Sequence, residues 1–450
     1  MRRAGGLVRA PQPIKDPART ELTATTAGQQ GIIMVQYPGA QSPPFRLSML
    51  IYDRRYRSLT IQAVVFILVM LAAAWLINNT IENLARLGKT FSFEFLFRRA
   101  GYDIPQQLIP YNSDDTNLRA AIVGLLNTLH VTIFGCITAT IVGVLVGVLR
   151  LSPNWLISRL MTVYVETFRN IPLLLWILVV LAIFTEVMPA PNAYRGENPQ
   201  AQMLLFDTIA PTNRYTAVPS ILMTNDPGVI PLGREGLNWA VVWFAGGLAL
   251  AWALHRVLSN WAQRVQDQSG RRPTTWWITA LMFVIPPLLM SWYFGLHLDR
   301  PVLKGFNFAG GAKLDNAFVV LWIALTLYTG AFIAEIVRGG ILAVSKGQSE
   351  AAFALGLRPG RTMSLVVLPQ ALRVIVPPLI SQYLNLMKNS SLAIAVGFMD
   401  LRGTLGGTTL NQTGREMECM ILMMGIYLLL SLMISGGMNV FNNRVKLKER

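Results

Sequence analysis

Near the C-terminal end of the chain a lysine stands inside an apolar run, followed at once by Asn389, Ser390 and Ser391. A charge at the centre of a membrane helix costs on the order of 2.5–3.5 kcal/mol, so such a lysine faces a bundle interior or a cavity unless it snorkels from a helix end. With Asn385 one turn before Lys388, the stretch supplies donors for a carboxylate and acceptors for an ammonium. Asn127-Thr128, in an earlier apolar run, either hydrogen-bonds between helices or meets the same substrate. Glu166 and Arg169 share the i, i+3 spacing of Glu335 and Arg338, which on a helix gives two ion pairs that would brace structure or a gate. All of this is binding and bracing chemistry.

Bond-breaking chemistry has no counterpart in the sequence. The apolar runs hold no paired carboxylates and no Ser/His/Asp or Cys/His constellation. Cys136 and Cys419 both fall within apolar segments, and His130, His255 and His297 are scattered, so no metal-ligand spacing forms. A phosphate-cradling G-x-x-x-x-G-K-[ST] loop is missing as well. Its nearest imitation, Gly356-Leu-Arg-Pro-Gly360-Arg-Thr, has the wrong spacing and an arginine in place of the lysine. The chain is expected to bind no cofactor, and any nucleotide hydrolysis that serves it belongs to another protein.

One polar, basic interruption is informative. GQSEAAFALGLRPGRTMSLVVLPQAL, Gly347 to Leu372, lies between two long apolar segments. Glu350-Ala-Ala-Phe-Ala-Leu favours a helix. Gly356 permits a left-handed end, and Pro359-Gly360 turns the chain. A second short helix from about Arg361 to Val367 is expected to run into Leu368-Pro369. The small Ala351, Ala352 and Gly356 admit close backbone approach, with Glu350, Arg358 and Arg361 supplying charge. From the residues alone this elbow is either a docking surface or an amphipathic interfacial loop.

The elements that must position these residues are membrane helices. Of 450 residues, 53% are hydrophobic and 14% charged, where a soluble domain has about 25% charged. Runs of about 20 apolar residues fit helices that satisfy their own backbone across a bilayer. The predicted class is all-α, a polytopic transmembrane bundle of eight spans: Leu59–Ile77, Ala120–Leu149, Ile171–Val187, Asn238–Leu254, Trp276–Phe294, Ala317–Val337, Val374–Val396 and Met417–Met438. Gly143-Val-Leu-Val-Gly147 in the second span is a GxxxG face for close helix contact. The net charge of +16 reads as loop charge facing lipid headgroups, not as a nucleic-acid surface.

Of 39 lysines and arginines, 25 fall in segments on the side of the termini and 13 on the other, with Lys388 inside the seventh span. The positive-inside rule therefore places both termini and the elbow in the cytoplasm. Residues 1–58 read as a cytoplasmic tail, disordered to about Leu47, with Met34 as an alternative start. Residues 59–117 hold the first span and an outer segment whose FSFEFLFRRAGYDI would lie along the interface. Residues 118–189 and 314–443 form a core. Residues 190–313 insert an outer loop without clear periodicity and two extra spans, and 444–450 form a basic tail.

The order E-A-A, then Gly four residues after the second Ala, then Leu-Pro, resembles the coupling motif of ABC-importer permeases. Other segments resemble the polar amino-acid permease family: GLLNTLHVTIFGCITATIVGVLVGVLRLSP (Gly124–Pro153), YVETFRNIPLLLWIL (Tyr164–Leu178), AEIVRGGILAVSKGQSEAAFALGL (Ala334–Leu357) and LPQALRVIVPPLISQYLNLMKNSSLA (Leu368–Ala393). The insertion and extended N-terminal region resemble the larger, general L-amino-acid permeases of Gram-negative bacteria.

The resemblance implies a type I importer fold in the bacterial inner membrane. A second homologous permease subunit would complete the pathway, two ATP-binding subunits would hydrolyse ATP-Mg, and a periplasmic binding protein would deliver L-amino acids. Glu350, Ala351, Ala352 and Gly356 would lie on the coupling helix. Asn389, where relatives often carry Asp, argues against strict selection of cationic amino acids. A secondary transporter would need inverted repeats and intramembrane carboxylates, and the sequence shows no such repeat. A membrane scaffold would use the elbow merely to recruit a partner.

Overall fold

A computed structural model describes residues 54–86, 88, 91–196, 199–232 and 235–445. The proposed tail up to Leu47, the alternative start at Met34 and the last basic residues 446–450 lie outside the described residues. The chain divides into two compact units, Met1–Lys89 and Thr90–Arg450. In the first, α1 (Arg54–Arg86) is a single apolar helix. At 1.5 Å per residue it is about 50 Å long, more than the ~30 Å hydrocarbon layer requires.

The second unit is built around α2 (Asn117–Leu149) and α7 (Asn316–Leu342). Between them in sequence come α3 (Trp155–Asn170), α4 (Leu173–Ala182, widened into a π-turn over Ile183–Val187), α5 (Trp239–Ser269) and α6 (Trp276–Tyr293). The α3–α4 pair is bent by 108°. Pro172 explains the bend, because it forces Ile171 into an extended conformation (φ −102°, ψ 134°) and ends α3. Among the described residues, seven helices are long and apolar enough to cross a membrane, eight if this bent pair is one span.

α7 is the core helix. Val320, Leu321, Ala324, Leu325, Ala331, Ile333 and Ala334 are fully buried on it. Among lipids, where apolar side chains gain little from leaving the solvent, such contact is held by close packing and hydrogen bonds. Gly143 and Gly147 supply the close packing: a Cβ on Gly143 would stand 2.6 Å from Ile333, and one on Gly147 2.7 Å from the Ala334 carbonyl. Trp322 Nε1 donates to Thr138 Oγ1 at 3.0 Å, and the Tyr164 hydroxyl of α3 donates to the Leu327 carbonyl at 2.6 Å.

After α7 come α8 (Lys346–Ala354), α9 (Pro359–Thr362) and α10 (Leu368–Asn389). The short second helix expected from about Arg361 to Val367 is instead the start of a longer one. A π-turn over Met363–Val367 joins α9 to α10, and Pro359–Val396 is one long helix. The wider turn accommodates Pro369, which lacks an N–H and would crowd the preceding turn of a regular helix. Beyond it, α11 (Leu401–Gly403) and α12 (Leu410–Thr413), joined by a π-turn, precede the final helix α13 (Glu416–Val445).

In the aromatic run Phe91, Phe93 and Phe97 are exposed, and Phe95 is buried against Ala121, Leu401, Leu405 and Cys419. The insertion is more ordered than its pattern suggested. Antiparallel β1 (Ala210–Pro211), β2 (Tyr215–Val218) and β9 (Ala312–Asp315) form one sheet. β3 (Ser220–Met223) pairs with β6 (Leu296–Asp299), β4 (Val229–Leu232) with β5 (Glu235–Asn238), and β7 (Val302–Lys304) with β8 (Asn307–Ala309). Strands this short are invisible to periodicity, and two of the ladders pair segments on opposite sides of the α5–α6 hairpin.

Candidate functional site

On α10 the helical period separates neighbours in sequence. Leu386 and Met387 are fully buried while Asn385 and Lys388 are exposed. Lys388 occupies the last turn, where a cation complements the unpaired carbonyls. The chain continues as a 3₁₀ helix from Ser390 to Val396, so Ser390 turns inward. Its hydroxyl donates to the Met387 carbonyl at 2.7 Å, and that of Ser391 to the Lys388 carbonyl at 2.7 Å. Asn389 is half-buried. The run is therefore not one polar cluster: Asn385 and Lys388 share an outer face, and Ser390 belongs to the packing.

Asn127 and Thr128 are fully buried. Asn127 Nδ2 donates to the carbonyls of Gln106 (2.8 Å) and Met399 (2.9 Å). Thr128 donates to the Gly124 carbonyl at 2.9 Å and accepts the Leu401 N–H at 3.0 Å. Of the two readings of this pair, these bonds are the interhelical one: they pin the 399–401 turn to α2.

Sequence reasoning missed Asp400 in that same turn. It is fully buried and caps α11, accepting the Gly403 N–H at 2.8 Å, with the Tyr427 hydroxyl 3.4 Å from its other oxygen. Burial, opposed by the Gly403 N–H, pushes its carboxyl up to about 7. The available signal was an Asp directly before a short helical segment, the pattern of an N-cap.

The ion pairs differ from expectation in one half. Arg338 Nη2 bonds Glu335 at 2.6 Å as foreseen. Glu166 does not pair with Arg169. It lies 3.3 Å from Arg150, which also bonds Glu335 and donates to Thr162 Oγ1 at 3.1 Å. Arg169 instead places its guanidinium 5.5 Å from the centre of the Phe332 ring. The bend at Pro172 and the approach of α3 to α7 decide these partners, and helical spacing within α3 cannot show them. Arg150, the first charge after the long run of α2, is the bridging residue.

At the same end of α7 stands the elbow. α8 closes with a Schellman turn: Leu357 N bonds the Ala352 carbonyl at 3.1 Å, Gly356 N the Phe353 carbonyl at 2.9 Å, and Gly356 takes φ +77°. Glu350, Ala351, Gly356, Arg358 and Arg361 are exposed, whereas Ala352 is buried within the chain's own packing. Phe353 and Leu355 are exposed too, so the surface carries apolar as well as charged groups. Among the described residues, no three His, Cys, Asp or Glu side chains are grouped to hold a metal ion.

The pattern described as binding-protein-dependent transport system inner membrane component matches residues 139–447. The chain belongs to that family. This permease is 58% identical over 425 residues to the glutamate/glutamine/aspartate/asparagine transport system permease protein BztB of Rhodobacter capsulatus, covering 91% of this chain and 99% of the relative. It is 45% identical over 412 residues to the general L-amino acid transport system permease protein AapQ of Rhizobium johnstonii, covering 90% and 96%. A crystal structure of an amino acid ABC transporter with histidines overlays 73% of the permease and 94% of its own chain, with a TM-score of 0.40 and 19% identity.

Proposed function

We propose that the permease moves L-amino acids, acidic and neutral ones among them, inward across the bacterial inner membrane by alternating access. The elbow carries this reading: a helix directly after the core helix α7 exposes Glu350, Ala351, Gly356, Arg358 and Arg361 together with Phe353 and Leu355, in a chain without a nucleotide-binding loop. Two ATP-binding subunits, using ATP-Mg, dock there on the cytoplasmic side, where both termini lie. Nucleotide binds the closed ATPase dimer better than the open one, and that difference in affinity shifts the bundle between its two states. A second homologous permease covers the face that bears Asn385 and Lys388, and substrate released by a periplasmic binding protein passes between the two. The nature of the BztB and AapQ relatives supports this cargo, and Asn389 in place of an acidic residue favours a broad range over a cationic one.

The test is uptake of radiolabelled glutamate and glutamine into proteoliposomes holding the whole importer. ATP drives uptake, an ion gradient alone does not, and Glu350→Arg abolishes it without lowering the amount of folded permease. ATP-driven uptake that survives Glu350→Arg would overturn the coupling assignment.

A further inference from the structure

The insertion carries, near its start, a feature that folding alone does not require. Leu205, Phe206 and Asp207 all hold positive φ (50°, 59° and 59°), a region that L side chains avoid and glycine enters freely. The turn is held shut from both sides. Leu204 and Ile209 exchange backbone hydrogen bonds at 2.7 and 3.1 Å, and the Thr208 hydroxyl donates to the Leu205 carbonyl at 2.6 Å. Its product is a knob: Phe206 is 93% exposed and Leu205 66%. Asn or Gly would make this turn without strain, so the two large apolar side chains point to a contact made outside the chain.

The knob stands on a rigid base. Ile209 leads into β1, which pairs with β2, which pairs with β9, and β9 runs straight into α7. Asn316, first residue of α7, donates to the Thr212 carbonyl at 2.7 Å and accepts the Thr216 hydroxyl at 3.1 Å. Beneath the knob lies a cleft of about 460 Å³ walled by Tyr194, Met203, Asp207, Arg300, Leu303 and Phe308. The far end of α7 is followed at once by the elbow helix α8.

We propose that this knob and cleft are a docking surface for the substrate-binding protein. The proposal rests on the orientation given above, which puts the insertion on the outer side. The family is defined by dependence on a binding protein, and an aromatic anchor beside a cleft flanked by one anion and one cation suits a protein surface. A lipid-inserting tip would present a wider apolar face and basic flanks instead of Asp207. A docked binding protein would then be connected to the ATPase elbow through one sheet and one helix.

The experiment uses the assembled importer in lipid nanodiscs with its amino-acid-binding protein. Phe206→Asp, and Phe206→Asn, which suits the left-handed turn and keeps the fold, raise the concentration of binding protein for half-maximal ATPase stimulation about tenfold, a single hot-spot loss. The ATPase rate without binding protein stays unchanged. A photo-cross-linker at position 206 captures the binding protein in whole cells. An unaltered half-maximal concentration, or capture only of lipid or of the second permease, would overturn the proposal. Phe206→Cys, treated with an impermeant maleimide in intact spheroplasts, separates the two levels: labelling is expected, and its absence in spheroplasts with labelling after lysis would overturn the orientation as well.

Discussion

Arg150 and Glu335, 185 residues apart in sequence, form an ion pair that joins the end of α2 to the core helix α7. Arg150 is 11% exposed and also engages Glu166 of α3, while Glu335 also engages Arg338. One guanidinium thus connects three helices just before the elbow. Removing one member of a partly buried charge pair leaves the other without compensation. Glu335→Ala is expected to cost on the order of 1–3 kcal/mol. Glu166→Ala removes a half-exposed carboxylate and is expected to cost less than about 1 kcal/mol. Thermal melts of the purified permease in detergent, with Arg150→Ala completing a double-mutant cycle, give both numbers. Equal effects of the two carboxylates would contradict this ranking.

Gly143 and Gly246 offer a contrast within one chain. A Cβ on Gly143 would stand 2.6 Å from Ile333, whereas nothing lies within 4 Å of one on Gly246. Gly143→Val forces α2 away from α7 and is expected to cost about 1–3 kcal/mol or more, as overpacking does. Gly246→Ala relieves a helix-interior glycine and is expected to be neutral or to stabilise by about 0.5–1 kcal/mol. Fluorescence-detected size-exclusion after a heat step reads both, and loss of monodispersity in Gly246→Ala would count against open space beside Gly246 on α5.

Asp400 gives a pH prediction. Its folded-state pKa of about 7 lies above the ordinary 3.8. Below about 4 the group is neutral in both states. Between about 4 and 7 the unfolded chain ionises while the folded one does not, so stability falls as pH rises through this window, by up to about 1.4 kcal/mol per unit. Asn caps helices about as well as Asp. Asp400→Asn is therefore expected to melt at a similar temperature at pH 5 and pH 8, while the natural protein melts at a lower temperature at pH 8. A natural protein with the same melting temperature at both values would remove Asp400 as a buried neutral acid.

Lys388 and Ser390 separate path from packing. Lys388 is exposed and Ser390 buried, two residues apart. Lys388→Met is expected to leave the melting point within about 0.5 kcal/mol equivalents, as surface changes do, while uptake falls by about tenfold or more. Ser390→Ala loses one buried hydrogen bond and is expected to cost about 1 kcal/mol with uptake retained. The opposite pairing of effects would exchange their roles.

The sequence by itself determined what depends on local pattern and on charge. Apolar length marked the helices, because backbone groups in lipid must be satisfied within each span. Gly356 marked the end of α8, because its left-handed turn suits a residue without Cβ. The E-A-A elbow was visible because a polar helix between spans stands out against its surroundings. Tertiary structure decided what depends on helices meeting. It paired Glu166 with Arg150 in place of Arg169, buried Asn127 and Thr128 in the 399–401 turn, and turned Ser390 away from Lys388. It also joined β2 to β9 across the α5–α6 hairpin and raised Phe206 on that base. These outcomes rest on which faces come together, and a hydrogen bond or ion pair between distant segments leaves no periodic trace in the chain that makes it.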